Sequence, residues 1–220
     1  MTNQSTDSTN NKSFIAIEGP IGVGKTTLAK KLAQSLGGEL LLEGAQENPF
    51  LEKFYQDPKT GALPAQLFFL FQRTQQLKEI VQTDMFISNR IADFLMEKDR
   101  LFARVTLNED ELNLYEQVYQ NLTIDAPKPD LVIYLQAPTD VLLKRIRKRG
   151  INMEFSITED YLQNLTNAYT DFFHYYDASP LLIVNASGID LVNNEAHYQQ
   201  LLQRIEETNN GRNYFNPIIA

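Results

Sequence analysis

Gly19-Pro20-Ile21-Gly22-Val23-Gly24-Lys25-Thr26, followed by Thr27, fits the spacing G-x4-G-K-[ST]. Glycines let a loop bring its backbone N–H groups against phosphate oxygens, a lysine at this place reaches the β and γ phosphates, and the following hydroxyl coordinates Mg²⁺. The spacing therefore implies ATP with Mg²⁺, and Thr26 as metal ligand. A chain of this length would match the pattern by chance roughly once in a hundred at average residue usage. Its setting narrows that further, because the apolar run at 14–17 precedes it and apolar residues at helical spacing over 25–36 follow it. The alternative is a glycine-rich turn that merely precedes a helix.

Such a loop serves switches, motors and kinases. The guanine-reading Asn-Lys-x-Asp and the switch pattern Asp-x-x-Gly do not occur in the sequence, and the apolar run at 131–135 leads to Gln136-Ala137, not to a motor's Asp-Glu. A small-molecule kinase needs neither. It needs a lid of arginines that keeps water from the transferring phosphate, and Arg145, Arg147 and Arg149 ahead of Gly150 suit that role. A solvated basic helix end, favoured by the helix dipole, would look the same. The accepting hydroxyl also needs a base near the phosphate. Glu43 is the candidate, since it follows a strand pattern at 40–42 and the strand ends of a parallel sheet lie beside the loop. A surface Glu at a strand end is the bland reading of it.

The elements that hold these residues alternate. Strands are expected at 14–17, 40–42, 85–92, 131–135 and 181–184, and helices at 25–36, 49–55, 63–82, 93–105, 109–122, 138–149, 158–176 and 196–206. That order implies a five-stranded parallel sheet covered by helices on both faces, an α/β P-loop kinase fold with a short arginine-bearing lid. Residues 1–12, rich in Asn, Ser and Thr, are expected to be disordered, 13–208 to form one domain, and 209–220 to be a tail with no assigned role. The net charge of −8 and pI near 4.8 argue against a nucleic-acid binder, yet leave room for a small anion beside a local basic cluster. There is no cysteine, so disulfides are excluded, and no apolar run is long enough to span a membrane, which makes the cytoplasm the expected location.

Taken in order, Ile17 to Thr27, Glu47-Asn48-Pro49-Phe50-Leu51-Glu52-Lys53-Phe54-Tyr55, Lys98 to Ala103, Pro129 to Leu135 and Arg145 to Gly150 resemble the deoxynucleoside kinase family, in particular its bacterial deoxyadenosine and deoxyguanosine kinase branch. The resemblance implies that Glu43 is the general base for the sugar 5′-hydroxyl and that Tyr55 and Glu154 hold the 3′-hydroxyl. It implies base readers at Gln66 and Arg73, which lie seven apart on one helix face, catalytic lid arginines at Arg145 and Arg149, and a homodimer packed through helices. A polar helix face would also place Gln66 and Arg73 so. Where the family commonly has Glu-Arg-Ser or Asp-Arg-Ser, this chain has Ala92-Asp93-Phe94, so the arginine and the adjacent metal carboxylate are missing, with Asp93 available for one role. Ile151 stands where a further lid arginine is usual.

Lys98 falls where pyrimidine-using members carry an Asp paired with the equivalent of Arg73. The swap favours a purine, with Lys98 donating to its N7 or carbonyl. Two other readings compete: a nucleoside monophosphate kinase such as a thymidylate kinase, and a nucleotide-binding regulator that has lost catalysis.

Overall fold

A computed structural model of the chain describes residues 12–83, 89–122, 126–188 and 194–217. Residues 1–11, and 85–88 of the third expected strand, lie outside the described residues. In chain order the elements are β1 (Phe14–Glu18), α1 (Lys25–Leu36), β2 (Glu39–Leu41), α2 (Leu51–Gln56), α3 (Pro58–Thr83), β3 (Arg90–Ala92), α4 (Lys98–Thr106) and α5 (Glu109–Leu122). They continue with β4 (Leu131–Gln136), α6 (Thr139–Arg149), α7 (Glu159–Tyr175), β5 (Leu181–Asn185), α8 (Glu195–Glu207) and β6 (Arg212–Phe215).

The strands form one sheet in the order β2-β3-β1-β4-β5-β6, every pairing parallel. Helices on both faces explain why β1 and β4 are apolar without alternation: each side chain meets a packed layer. Ile15, Ile17, Ile133 and Leu135 face Leu28 and Leu32 of α1, Leu142 and Ile146 of α6, and Leu201 of α8. Their sequence neighbours Ala16, Val132 and Tyr134 turn the other way, onto Leu101 of α4 and Leu165, Tyr169 and Phe173 of α7. A third cluster joins α3 and α5 through Leu70, Leu77, Tyr115 and Tyr119.

The expected five strands become six, because the tail after Asn209 supplies β6, paired with β5 from Leu181↔Arg212 to Val184↔Phe215. Arg-Asn-Tyr-Phe has no apolar run to announce it. It is an edge strand whose residues alternate between exposed and half-buried. The helix expected from residue 93 starts at Lys98 instead. Residues 93–95 are held by other partners: the Asp93 carboxylate accepts the Glu43 N–H at 2.7 Å, and the Leu95 N–H donates to Glu18 at 3.2 Å. The phosphate loop is pinned on both sides. A Cβ on Gly22, whose φ is +82°, would stand 2.8 Å from Ile146 and 3.0 Å from the Leu142 carbonyl of α6, and one on Gly19 would stand 2.4 Å from the Leu135 carbonyl of β4.

Candidate active site

At the carboxyl edge of the sheet the loop 19–24 runs from β1 into α1, so the free N–H groups of the first helical turn point over the strand ends. The Lys25 ammonium turns back across this loop and donates to the Gly19 carbonyl at 2.7 Å. Burial is the largest influence on it and the positive charge of Lys98 the next, and together they pull its pKa from 10.5 down to about 8.

Beyond the loop lies a cleft, partly open to solvent, walled by α2, α3, α4 and the start of α7. Ile21, Gly22, Lys25, Thr26, Glu43, Tyr55, Gln66, Arg73, Asp93, Lys98, Arg149 and Glu154 all line it, which brings together most of the residues singled out from the sequence. Arg145 does not line it. Its guanidinium lies behind the loop, donating to the carbonyls of Val23 at 3.3 Å and Ala186 at 2.7 Å. Arg147 donates to the carbonyls of Phe155 and Ile157, and so ties down the turn after α6. Arg149 reaches into the cleft and grips Glu154 with two bonds, at 2.5 and 3.2 Å.

Charge is ordered from one end of the cleft to the other. At the loop end the Thr26 hydroxyl donates to the Asp93 carboxylate at 2.5 Å, while the other Asp93 oxygen fixes the Glu43 backbone. A hydroxyl and a carboxylate meeting beside the phosphate loop are the oxygen donors that Mg²⁺ prefers, so the residues present fit that ion. Burial raises the Asp93 pKa, opposed chiefly by the hydrogen bond from Thr26. The Glu43 carboxylate then meets two cations, Arg73 and Lys98. Arg73 is 3% exposed and also pairs with the fully buried Asp99 of α4.

That last contact gives Arg73 the ion pair that a lysine at 98 cannot form. Lys98 does occupy the first position of α4, but the next residue, Asp99, turns toward Arg73 and makes the ion pair. Side chains one apart on a helix diverge by about 100°, so adjacent residues serve different partners. Lys98 points to Glu43 and to Glu18.

At the far end Gln66 and Arg73 project from one face of α3, and Phe69 lies between them on the same face. The Gln66 amide nitrogen makes a 3.4 Å contact with Thr106, and its buried oxygen has no partner among the described residues. Tyr55, Glu154 and Arg149 converge on the side of the cleft toward α7, and burial there raises the Tyr55 pKa. Sequence reasoning missed Glu18, Asp99, Phe69 and Tyr161. Phe69 was accessible, being three residues from Gln66 and four from Arg73, which is one helix face. Tyr161, whose buried hydroxyl has no partner among the described residues, carries no comparable signal.

A phosphate loop at the strand ends, a carboxylate poised beside it and an arginine entering from a following helix define a P-loop kinase that phosphorylates a small molecule held in the cleft. Comparison with known proteins narrows the class. The family model for deoxynucleoside kinase matches residues 15–209. Deoxyguanosine kinase of Bacillus subtilis is 37% identical over 205 residues, covering 90% of this chain and 98% of its own. Deoxyadenosine kinase of Lactobacillus acidophilus is 31% identical, covering 88% of this chain and 94% of its own. The solved structure of deoxyadenosine kinase from M. mycoides with bound dATP superposes with a TM-score of 0.76 at 30% identity, covering 87% of this chain and 98% of that one. The chain belongs to the deoxynucleoside kinase family, and it is an enzyme that phosphorylates a deoxynucleoside.

Proposed function

We propose that the acceptor is a purine deoxynucleoside, deoxyguanosine or deoxyadenosine, phosphorylated on its 5′-hydroxyl with Glu43 as general base. The observation that carries this reading is the position of Glu43 in the cleft, with the phosphate loop on one side and the amide and guanidinium of Gln66 and Arg73 on the other. A Gln amide offers a donor and an acceptor to a base edge, and the Gln66 oxygen, without a partner among the described residues, is ready for one. The purine preference is supported by the kinases named for deoxyguanosine and deoxyadenosine that this chain resembles.

In this reading Tyr55 and Glu154 hold the sugar 3′-hydroxyl. The 5′-oxygen attacks the γ-phosphorus in line, its proton passes to a Glu43 carboxylate oxygen, and the bond from the γ-phosphorus to the bridging oxygen breaks to release ADP. Thr26 and Asp93 would hold Mg²⁺, which when bound neutralises charge on the β and γ phosphates. Lys25 and Arg149 add cations on the side of the transferred phosphate, and much of the rate comes from holding the two reactants aligned. The same reading includes a homodimer, and a cytoplasmic location where ATP is at hand.

The test is steady-state turnover of ATP with Mg²⁺, offering each deoxynucleoside and each deoxynucleoside monophosphate, with Glu43→Gln as control. Turnover on a purine deoxynucleoside should fall by about 10²- to 10⁴-fold in the control. Turnover confined to monophosphates would overturn the acceptor, and an unaffected Glu43→Gln would overturn the base.

A further inference from the structure

Lys98 is 2% exposed, and its salt-bridge partners are the carboxylates of Glu18 and Glu43. Its ammonium lies 3.2 Å from a Glu18 oxygen and 3.2 and 3.3 Å from the two oxygens of Glu43. An ammonium has three protons to donate, and the fully buried Glu18 and the partly exposed Glu43 take them up. Freeing it to donate to a purine would take this ammonium away from Glu18, which is fully buried, and leave Glu43 to Arg73. Glu18 is in turn held by the Gly19 N–H at 2.7 Å and by the buried Tyr169 hydroxyl at 2.8 Å, so it is fixed to the first residue of the phosphate loop and to α7.

The position of Lys98 along the cleft agrees with these contacts. Its charge acts on Lys25 and Asp93 at the phosphate end and also on Arg73 and Asp99, so it stands between the two ends, while Asp99 is the residue that pairs with Arg73. The sequence lacks a cation at position 93, between the loop and the base, and Lys98 brings one to that place from α4.

We infer that Lys98 is a positioning residue for the transfer step: through Glu18 it locks the Glu43 carboxylate in register with the phosphate loop, and it does not read the nucleobase. The inference rests on Glu43 being the base. It predicts that purine selectivity is set elsewhere in the cleft and survives changes at Lys98. It also makes the contacts of Lys98 matter to the chemical step more than to ground-state binding, since they hold the group that accepts the proton.

Kinetics of the full-length enzyme with Lys98→Met and Lys98→Arg test this. Lys98→Met should lower kcat on deoxyguanosine by roughly 10²-fold while changing KM for the nucleoside by less than about 3-fold, and Lys98→Arg should restore kcat to within about 10-fold of the parent. The ratio of deoxyguanosine to deoxyadenosine turnover should stay within about 2-fold in both variants. A rise in KM of more than about 10-fold with kcat kept, or a changed purine ratio, would overturn the inference and return Lys98 to base reading. If Lys98→Met does not give a folded protein, Lys98→Arg decides alone: kcat near the parent with an unchanged purine ratio supports positioning, and a shifted ratio overturns it. Failure of the underlying reading is distinguishable, because Glu43→Gln would then leave parent turnover intact whatever Lys98 variants do.

Discussion

Lys25 shows how far one residue is set by its surroundings. In the free protein it sits deep in a loop of carbonyls with Lys98 near it, and its pKa falls to about 8. Bound polyphosphate reverses that balance, because the anion favours the charged amine. ATP binding should therefore take up protons, about half a proton per ATP at pH 8, and ATP affinity should decline as pH rises through about 8. Isothermal titration in buffers of different ionisation enthalpy measures the uptake, and a buffer-independent heat at pH 8 would show that Lys25 is already fully charged before ATP arrives. Asp99 makes a related point about proximity. Lys98 cannot pair with Arg73 but its neighbour does, so a one-residue step on a helix decides which carboxylate the guanidinium of Arg73 meets.

At the scale of elements, β6 is the piece whose role is least expected. It closes the sheet beyond β5, Phe215 packs against the main core, and Arg212 donates to the carbonyls of Phe173 and His174 at the end of α7, at 3.1 and 2.6 Å. Half-buried aromatic area and the lost end contacts amount to about 3 kcal/mol. A chain ending at Gly211 should melt about 6–12 °C lower, with kcat on the preferred deoxynucleoside unchanged because β6 is remote from the cleft. A thermal melt followed by circular dichroism checks this, and an unchanged midpoint would show that the strand adds nothing to the sheet. The short α6 contributes to the site itself. It braces Gly22 with Leu142 and Ile146 and carries Arg149 into the cleft, so one helix links loop and lid.

For the whole molecule, the acidic balance of −8 sits oddly with a polyanionic substrate until the charges are placed. The cleft holds Lys25, Arg73, Lys98 and Arg149 together with Glu43, Asp93 and Glu154, so it is the placement of single cations such as Lys25 at the loop, not the net sign, that suits a phosphate. The proposed homodimer also belongs to this scale. Leu101 and Val105 of α4 and Phe172 and Tyr175 of α7 line a second groove on the outside of the sheet layer, where Tyr175 is 81% exposed. A second copy covering that groove should give twice the chain mass of 25.2 kDa in sedimentation equilibrium, and Tyr175→Asp should shift it toward one. A parent that sediments at the single mass would overturn the dimer.

The phosphate loop, the parallel order of strands and helices, and Glu43 beside the loop are legible in residue order alone. Each is written locally: spacing within eight residues, apolar runs for strands buried on both faces, and one end of one strand. Helical spacing likewise linked Gln66 to Arg73 and could have added Phe69. Meetings between distant segments emerge only once the chain is folded. Glu18, Lys98 and Glu43 come from β1, α4 and the turn after β2, Arg145 turns behind the loop while Arg149 enters the cleft, and the tail pairs with β5. Buried charges must find partners across the fold, and those partners are fixed by how helices pack on the sheet, which no local pattern of residue types records.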